Sequence, residues 1–193
     1  MSEKGERVCH IVAGPNGAGK STFALRYLPD YAGAIEYVNP DLMAQGLSPT
    51  NIRLSALKAG KLALTRIADL IRGGSAFGFE TTLSGRGHLK LLANAKASGY
   101  SINLYYLWMP SVVALPSRIR HRVISGGHDV PTEDVTRRFT RSVANVHKYV
   151  ELVDVFRVFD ASDVNFRLIA SRNGSEVVFA PELISNVKKD LSL

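Results

Sequence analysis

Cysteine is nearly absent: Cys9 is the only one in the chain, so neither an internal disulfide nor a cysteine metal cluster can form. It lies in an apolar run beside Val8 and Ile11 and reads as buried strand filler. Long apolar runs are missing too. Nothing approaches the roughly eighteen uncharged apolar residues of a membrane span, and the opening MSEKGERVCH mixes both charge signs without an apolar signal core. Neither insertion nor secretion is expected, which leaves a cytoplasmic protein. Internal repeats, low-complexity stretches and long Pro/Gly/Ser linkers are also lacking, so residues 1–193 are read as one domain. Aromatic residues, at 8%, are not interleaved with basic ones, which disfavours a base-stacking nucleic-acid surface. With 46% hydrophobic and 21% charged residues, disordered and fibrous chains are excluded as well.

What the chain does have is positive charge. Its 24 Lys and Arg against 17 Asp and Glu give +7, which implies an anionic partner. Six of the fifteen arginines, and none of the nine lysines, fall between Arg118 and Arg141. This local concentration of guanidinium suits either a nucleotide-phosphate site or a nucleic-acid patch. Lys188 and Lys189 are read as solubilising charge in the last turn of a final helix.

Short apolar runs at Val8 to Ala13, Ala34 to Val38, Ser75 to Phe79, Ile102 to Trp108 and Val153 to Phe159 alternate with helical patterns. Such alternation predicts an α/β fold with a mainly parallel sheet covered by helices on both faces. Helices are expected over Lys20 to Leu28, Asn51 to Arg72 and Thr132 to Val153. In the last of these, Val135, Phe139, Val143, Val146 and Val150 mark one apolar face, and Thr132 suits the N-cap. Phe166 to Ala170 and Val177 to Ala180 flank Ser171-Arg172-Asn173-Gly174, where the Asn-Gly pair predicts a C-terminal antiparallel hairpin.

Between the first predicted strand and helix stands Gly14-Pro15-Asn16-Gly17-Ala18-Gly19-Lys20-Ser21, followed by Thr22, which fits the phosphate-binding loop G-x-x-x-x-G-K-[ST] without a mismatch. Its glycines let backbone N–H groups turn toward a phosphate, Lys20 adds a cation for the β and γ oxygens, and Ser21 offers a hydroxyl to Mg²⁺. The fold class is therefore that of P-loop NTPases, with ATP and Mg²⁺ as expected cofactors. Asn39-Pro40-Asp41 follows the second strand, where ligand crevices of such sheets open. Asp41 could take a proton from an attacking hydroxyl, hold a metal-bound water, or simply N-cap a helix from Leu42. Glu80 and Thr82 follow the third strand and could orient a hydroxylated substrate; Glu80 could equally be a surface strand end. The segment Leu83-Ser84-Gly85-Arg86-Gly87 superficially resembles the signature loop of ABC transport ATPases, yet the strand that should close in Asp-Glu ends instead in Met109-Pro110. Arg118 and Arg122, four apart, share one helix face; Gly126 to Pro131 forms a glycine-rich hinge; and Arg137, Arg138 and Arg141 follow it. Two arginine-bearing helices joined by a hinge make a phosphate-closing lid or a solvated basic face.

In the order AGPNGAGKST, VNPD, FETTLSG, AKASGY, RIRHRVISGGHDVP and RRF, from about Cys9 to Ala170, the chain resembles the zeta toxin family of P-loop kinases, most closely the bacterial branch with a Gly-Gly-His lid. The resemblance implies phosphoryl transfer from ATP to a hydroxyl, UDP-N-acetylglucosamine being the acceptor in the toxins. It implies that Lys20 holds the phosphates and Asp41 is the base. Asn39, Glu80 and Thr82 would face the acceptor, while Arg118, Arg122 and Arg138 neutralise the moving phosphate. Pro116 departs from the family pattern and is expected to delay or kink the helix that presents Arg118. Asp160-Ala161-Ser162 stands where relatives often have Asp-Asn-Ser, in the region expected to meet adenine. A kinase of polynucleotide ends or another small hydroxyl compound, and a nucleic-acid-binding ATPase switch, are the competing readings. An antitoxin partner is left open.

Overall fold

The computed structural model describes residues 6–33, 35–48, 52–124, 130–174 and 176–179. Strand β1 (Val8–Ala13) is followed by helices α1 (Lys20–Arg26) and α2 (Leu28–Ala32), then by β2 (Glu36–Val38), α3 (Pro40–Leu47) and α4 (Ile52–Gly73). The chain continues through β3 (Phe77–Thr81), α5 (Gly87–Ala97), β4 (Ser101–Trp108), α6 (Leu115–Ile124) and α7 (Thr132–Val150), and closes with β5 (Val155–Asp160), β6 (Arg167–Asn173) and β7 (Glu176–Phe179). The strands form one seven-stranded sheet in the order β2-β3-β1-β4-β5-β6-β7. The first five are parallel; β6 and β7 add an antiparallel edge. None of the described helices is long and apolar enough to cross a membrane.

Side chains alternate across each strand, and the two cores follow that alternation. Cys9, Ile11 and Ala13 of β1, with Ile102, Leu104 and Tyr106 of β4, pack against Ile67 and Ile71 of α4, Leu92 of α5 and Tyr149 of α7. Val12, Tyr105 and Leu107 face the other way, onto Phe23, Leu28, Leu115 and Ile119 of α1, α2 and α6. Each fully buried Leu, Ile or Phe side chain contributes roughly 1.5–3 kcal/mol, so both faces of the sheet are held by burial. Cys9 is fully buried among these residues, and burial pushes its thiol well above the usual range, which makes it filler and not a nucleophile.

Several expected boundaries shift for identifiable reasons. The first helix divides at Tyr27 because Pro29 stands in the first turn of α2, where its missing N–H does no harm. Thr132 is the first helical residue of α7, not its cap, and no side chain caps that end; α7 stops at Val150. Pro116 does not interrupt α6. It is the second residue of the helix, a position that leaves proline's lost donor unused, so Arg118 rides on a regular turn. The third strand runs two residues further than its apolar run, which makes Glu80 part of β3 instead of the residue after it. In the hairpin, Asn173 pairs with Glu176, so Ser171, Arg172 and Asn173 extend β6 and the turn starts at Gly174, whose φ is 61°. Glycine, without a Cβ, meets the positive φ at the turn. The expected final helix with Lys188 and Lys189 lies outside the described residues, as do Gly126 to Asp129 of the hinge.

Candidate functional site

The parallel register aligns the C-terminal ends of three strands, with Ala13 opposite Thr81 and Val38 opposite Phe79. From β1 the chain passes to β2 on one side, and after β3 it passes to β4 on the other; the loop that leaves β1 therefore sits at the topological switch point of the sheet. That loop is the predicted phosphate loop. Gly14 has φ 144°, and a Cβ on it would stand 2.6 Å from the Leu107 carbonyl, so only glycine lets the chain turn there. Gly19 takes φ 88° at the cap of α1, with no side chain capping the helix and the Phe166 ring 3.0 Å from where a Cβ would be. Uncapped N–H groups at a helix start are the donors that a phosphate needs. Gly17 is also left-handed, with φ 84°. Pro15 and Ala18 are buried in the loop, and Asn16 is buried with its Oδ1 lacking a partner among the described residues. Thr22 is exposed.

Lys20 is buried and its Nζ donates to the Pro15 carbonyl at 3.1 Å, so the ammonium curls back over its own loop. Ser21 Oγ donates to Glu80 Oε2 at 3.1 Å, while Asn39 Nδ2 reaches Ser21 Oγ at 3.4 Å. Residues from three separate segments therefore meet at the Ser21 hydroxyl. Glu80, only 3% exposed, is brought there by strand pairing: it lies opposite Val12 on β1, on the face that α1 covers. This placement corrects the surface-strand-end alternative, since the carboxylate is inside the site.

Asn39 is the N-cap of α3. Its Oδ1 accepts from Asp41 N at 2.9 Å and Leu42 N at 3.1 Å, and α3 starts at Pro40. Asp41 is thus not the cap; it stands half-buried in the first turn. Thr82 Oγ1 is 2.8 Å from Ser84 Oγ, and the intervening Leu83 is fully buried at φ 52°, the one non-glycine residue with positive φ among those described. Two contacts from α7 hold this turn: Asn145 Nδ2 donates to the Leu83 carbonyl at 2.9 Å and the Tyr149 hydroxyl to the Gly85 carbonyl at 2.8 Å. Neither Asn145 nor Tyr149 was expected in the site. The available signal was a polar Asn145 beside the apolar positions of the helix, a combination that marks a buried hydrogen bond.

The arginines are dispersed more than their spacing suggests. Arg118 donates from Nη1 to the Ala161 carbonyl and from Nη2 to the Ser162 carbonyl, both at 2.6 Å, so it fastens the loop after β5. Arg138 is half-buried on α7, Arg141 is exposed, and Arg137 pairs with Asp134 at 2.8 Å. Arg122 lies one turn beyond Arg118 on α6, and its side chain is outside the described residues. No group of three or more His, Cys, Asp or Glu side chains forms a metal cluster among the described residues.

No protein-family model matches the chain. An uncharacterised protein of Haemophilus influenzae is 34% identical over 126 residues, a stretch covering 65% of this chain and 88% of that protein. Among solved structures, a chain of the AvrRxo1-ORF1:ORF2 complex crystallised with ATP superposes with a TM-score of 0.76 at 18% identity over 96% of this chain. The present chain spans 64% of that protein's length. A chain of the PezAT toxin–antitoxin system of Streptococcus pneumoniae gives 0.61 at 15% identity, covering 86% of this chain and 71% of its own. One from the Pnkp1/Rnl/Hen1 RNA repair complex gives 0.57 at 20% identity, covering 76% and 49%. The fold is that of P-loop NTPases, and by its overlap with the Haemophilus influenzae protein the chain belongs to the same family as that relative.

Proposed function

We propose that this protein is an ATP- and Mg²⁺-dependent phosphotransferase of the zeta-toxin type, moving the γ-phosphoryl group to the hydroxyl of a small molecule. The favoured acceptor is a nucleotide sugar resembling UDP-N-acetylglucosamine. The observation that carries the reading is the meeting of Ser21, Glu80 and Asn39 at the ends of β1, β3 and β2, next to a glycine-rich loop over which the Lys20 ammonium curls.

Ser21 and Glu80 fit Mg²⁺ because their donors are a hydroxyl and a carboxylate, hard oxygens already 3.1 Å apart. A site with one protein carboxylate also suits an ion that takes its other ligands from phosphate and water. Bound there, the ion would supply neutralisation of phosphate charge. Lys20 exchanges the Pro15 carbonyl for a phosphate oxygen. Asp41 accepts the proton of the acceptor hydroxyl as its oxygen attacks phosphorus; the new P–O bond forms while the bond to the β-phosphate oxygen breaks and ADP departs. Arg138 on α7, with Arg122 as the resemblance implies, neutralises the group in flight, and Arg118 fixes the 161–162 loop. Catalysis in this scheme is positioning and electrostatics.

The test is transfer of label from γ-labelled ATP, with UDP-sugars, nucleosides, RNA and DNA offered in parallel. Label on a UDP-sugar supports the favoured acceptor. Label on polynucleotide ends assigns the other kinase reading, and nucleic-acid-stimulated release of phosphate with no labelled acceptor assigns the ATPase switch.

A further inference from the structure

Helix α4 turns Ala59, Ala63, Ile67 and Leu70 onto the sheet, where all four are buried. At 3.6 residues per turn the opposite stripe is Leu54, Lys58, Lys61 and Thr65, with Leu57 and Leu62 on its flanks. Leu54, Leu57 and Leu62 are 49%, 66% and 46% exposed, and both lysines are exposed. Single exposed leucines are ordinary, but three within three turns of one helix, set among cations, mark a surface that something covers.

Helix α5 extends that surface. Leu64 Cδ1 lies 3.8 Å from where a Cβ on Gly87 would stand, and further along Ala68 and Arg72 share a groove with Leu91, Asn94 and Ala97. Lys90, one turn before Asn94, is exposed on the same stripe of α5. Together α4 and α5 hold seven Lys and Arg against one acid, Asp69. Arg66 is held by Glu36 at 2.6 Å, Arg72 by Asp69 and Lys96 by Asp154 at 3.0 Å. Lys58, Lys61 and Lys90 have no ion pair among the described residues. Like charges gathered without counter-charge repel one another, and an anionic surface laid against them removes that cost.

We infer that the α4–α5 face seats this protein on an anionic lipid surface, with Lys58, Lys61 and Lys90 over the headgroup phosphates and Leu54, Leu57 and Leu62 at the boundary with the acyl chains. Lysine stems lie along apolar surface while their ammonium groups reach outward, which suits this mixture. The contact is peripheral, made by helices whose other sides are packed in the core. Nucleic acid fits the face less well, since leucines offer nothing to a phosphate backbone and neither helix contains a Phe, Tyr or Trp on which a base could stack. A protein partner fits less well too, because protein interfaces are depleted of lysine and anchored by aromatic residues and arginine. Helix α1, which begins at the phosphate loop, packs on the opposite face of the sheet, so docking and ATP access do not compete.

Co-flotation of the full chain with vesicles of phosphatidylcholine, alone or mixed with phosphatidylglycerol, tests this at physiological salt, where distant charges are screened. Binding to the mixed vesicles and not to phosphatidylcholine is expected. Lys58→Glu, Lys61→Glu and Lys90→Glu combined should weaken it more than about a hundredfold. Arg26→Glu, Arg120→Glu and Arg137→Glu combined change the net charge equally, on exposed positions of α1, α6 and α7, and should leave binding within about threefold. Leu54→Ser with Leu57→Ser should weaken binding about tenfold or more at an unchanged melting temperature, since both side chains are exposed. No flotation with the mixed vesicles, equal flotation with both compositions, a lysine variant that floats like the wild type, or an arginine variant that loses as much as the lysine one would overturn the assignment. So would tighter binding of the wild type to duplex DNA or to polyglutamate than to the mixed vesicles, lost in the lysine variant; that result gives the face to nucleic acid or to an acidic protein. Flotation needs no phosphoryl transfer, so its outcome is independent of the kinase reading.

Discussion

Acidification should unfold this protein through two histidines that take no part in transfer. His10 on β1 is buried with Nδ1 3.0 Å from the Tyr105 hydroxyl; burial, helped by the Arg157 charge, lowers its pKa to about 4. His88 on α5 stacks on Phe79 at 5.0 Å, and burial brings it to about 4 as well. In the unfolded chain both titrate near the ordinary 6.5. Above pH 7 both states are neutral and the pair contributes no pH dependence. Below 6.5 the unfolded chain takes up protons that the folded one refuses, so stability falls until about pH 4 and then levels. At pH 5 an unfolded histidine is protonated about thirtyfold over neutral and a folded one hardly at all, which costs about 2 kcal/mol per site and about 4 kcal/mol for both. Against a typical 5–15 kcal/mol of stability, that is a large share. Urea unfolding at pH 7 and pH 5, followed by the fluorescence of buried Trp108, the sole tryptophan, measures the loss. His10→Gln keeps a polar group toward Tyr105 without a titrating ring and should remove about half of it; adding His88→Gln should remove most. If the double variant loses as much stability as the wild type between these pH values, the buried-histidine account is wrong.

Lys20→Ala should abolish transfer and weaken ATP binding with circular dichroism unchanged; normal turnover at saturating ATP would remove the phosphate-loop reading. Asp41→Asn should slow transfer by roughly 10²- to 10⁴-fold while the melting temperature barely moves, since the cap of α3 belongs to Asn39, whereas Asn39→Ala should cost about 1 kcal/mol of stability, measured by denaturant titration. Arg122→Lys keeps charge and loses the planar fork, so transfer should drop tenfold or more while any binding to nucleic acid stays nearly constant by fluorescence anisotropy.

The phosphate loop was legible because its chemistry and its backbone demands fall on consecutive residues: Gly14 to Ser21 need no partner from elsewhere in the chain to be recognised. The alternation of strands and helices was legible for a similar reason, as each element's periodicity is local. Glu80 shows where that stops. Its placement on Ser21 depends on β3 lying next to β1, which is a fact of strand order and not of spacing, so the sequence placed it opposite the acceptor and left its surface exposure open. The Asp41 cap alternative failed over two residues, because the same Asx chemistry was available at Asn39 and the helix start at Pro40 chose it. Arg118 was assigned by helix spacing and by the family resemblance, and neither can show that two carbonyls 43 and 44 residues onward compete for the guanidinium. Asn145 carried no motif; only the third dimension shows its amide meeting a distant carbonyl.

The left-handed Leu83 has a practical consequence for anyone who would transplant the segment after β3 from a relative. That segment is not held by its own Thr82–Ser84 contact alone. It is clamped by Asn145 and Tyr149 of α7, whose earlier turns carry Arg138 and Arg141. A graft of residues 81–85 alone would arrive without its clamp, and a graft of α7 alone would release the native turn. The two stretches, more than sixty positions apart in the chain, form a single exchangeable part, and chimeras should be cut so that both come from the same parent.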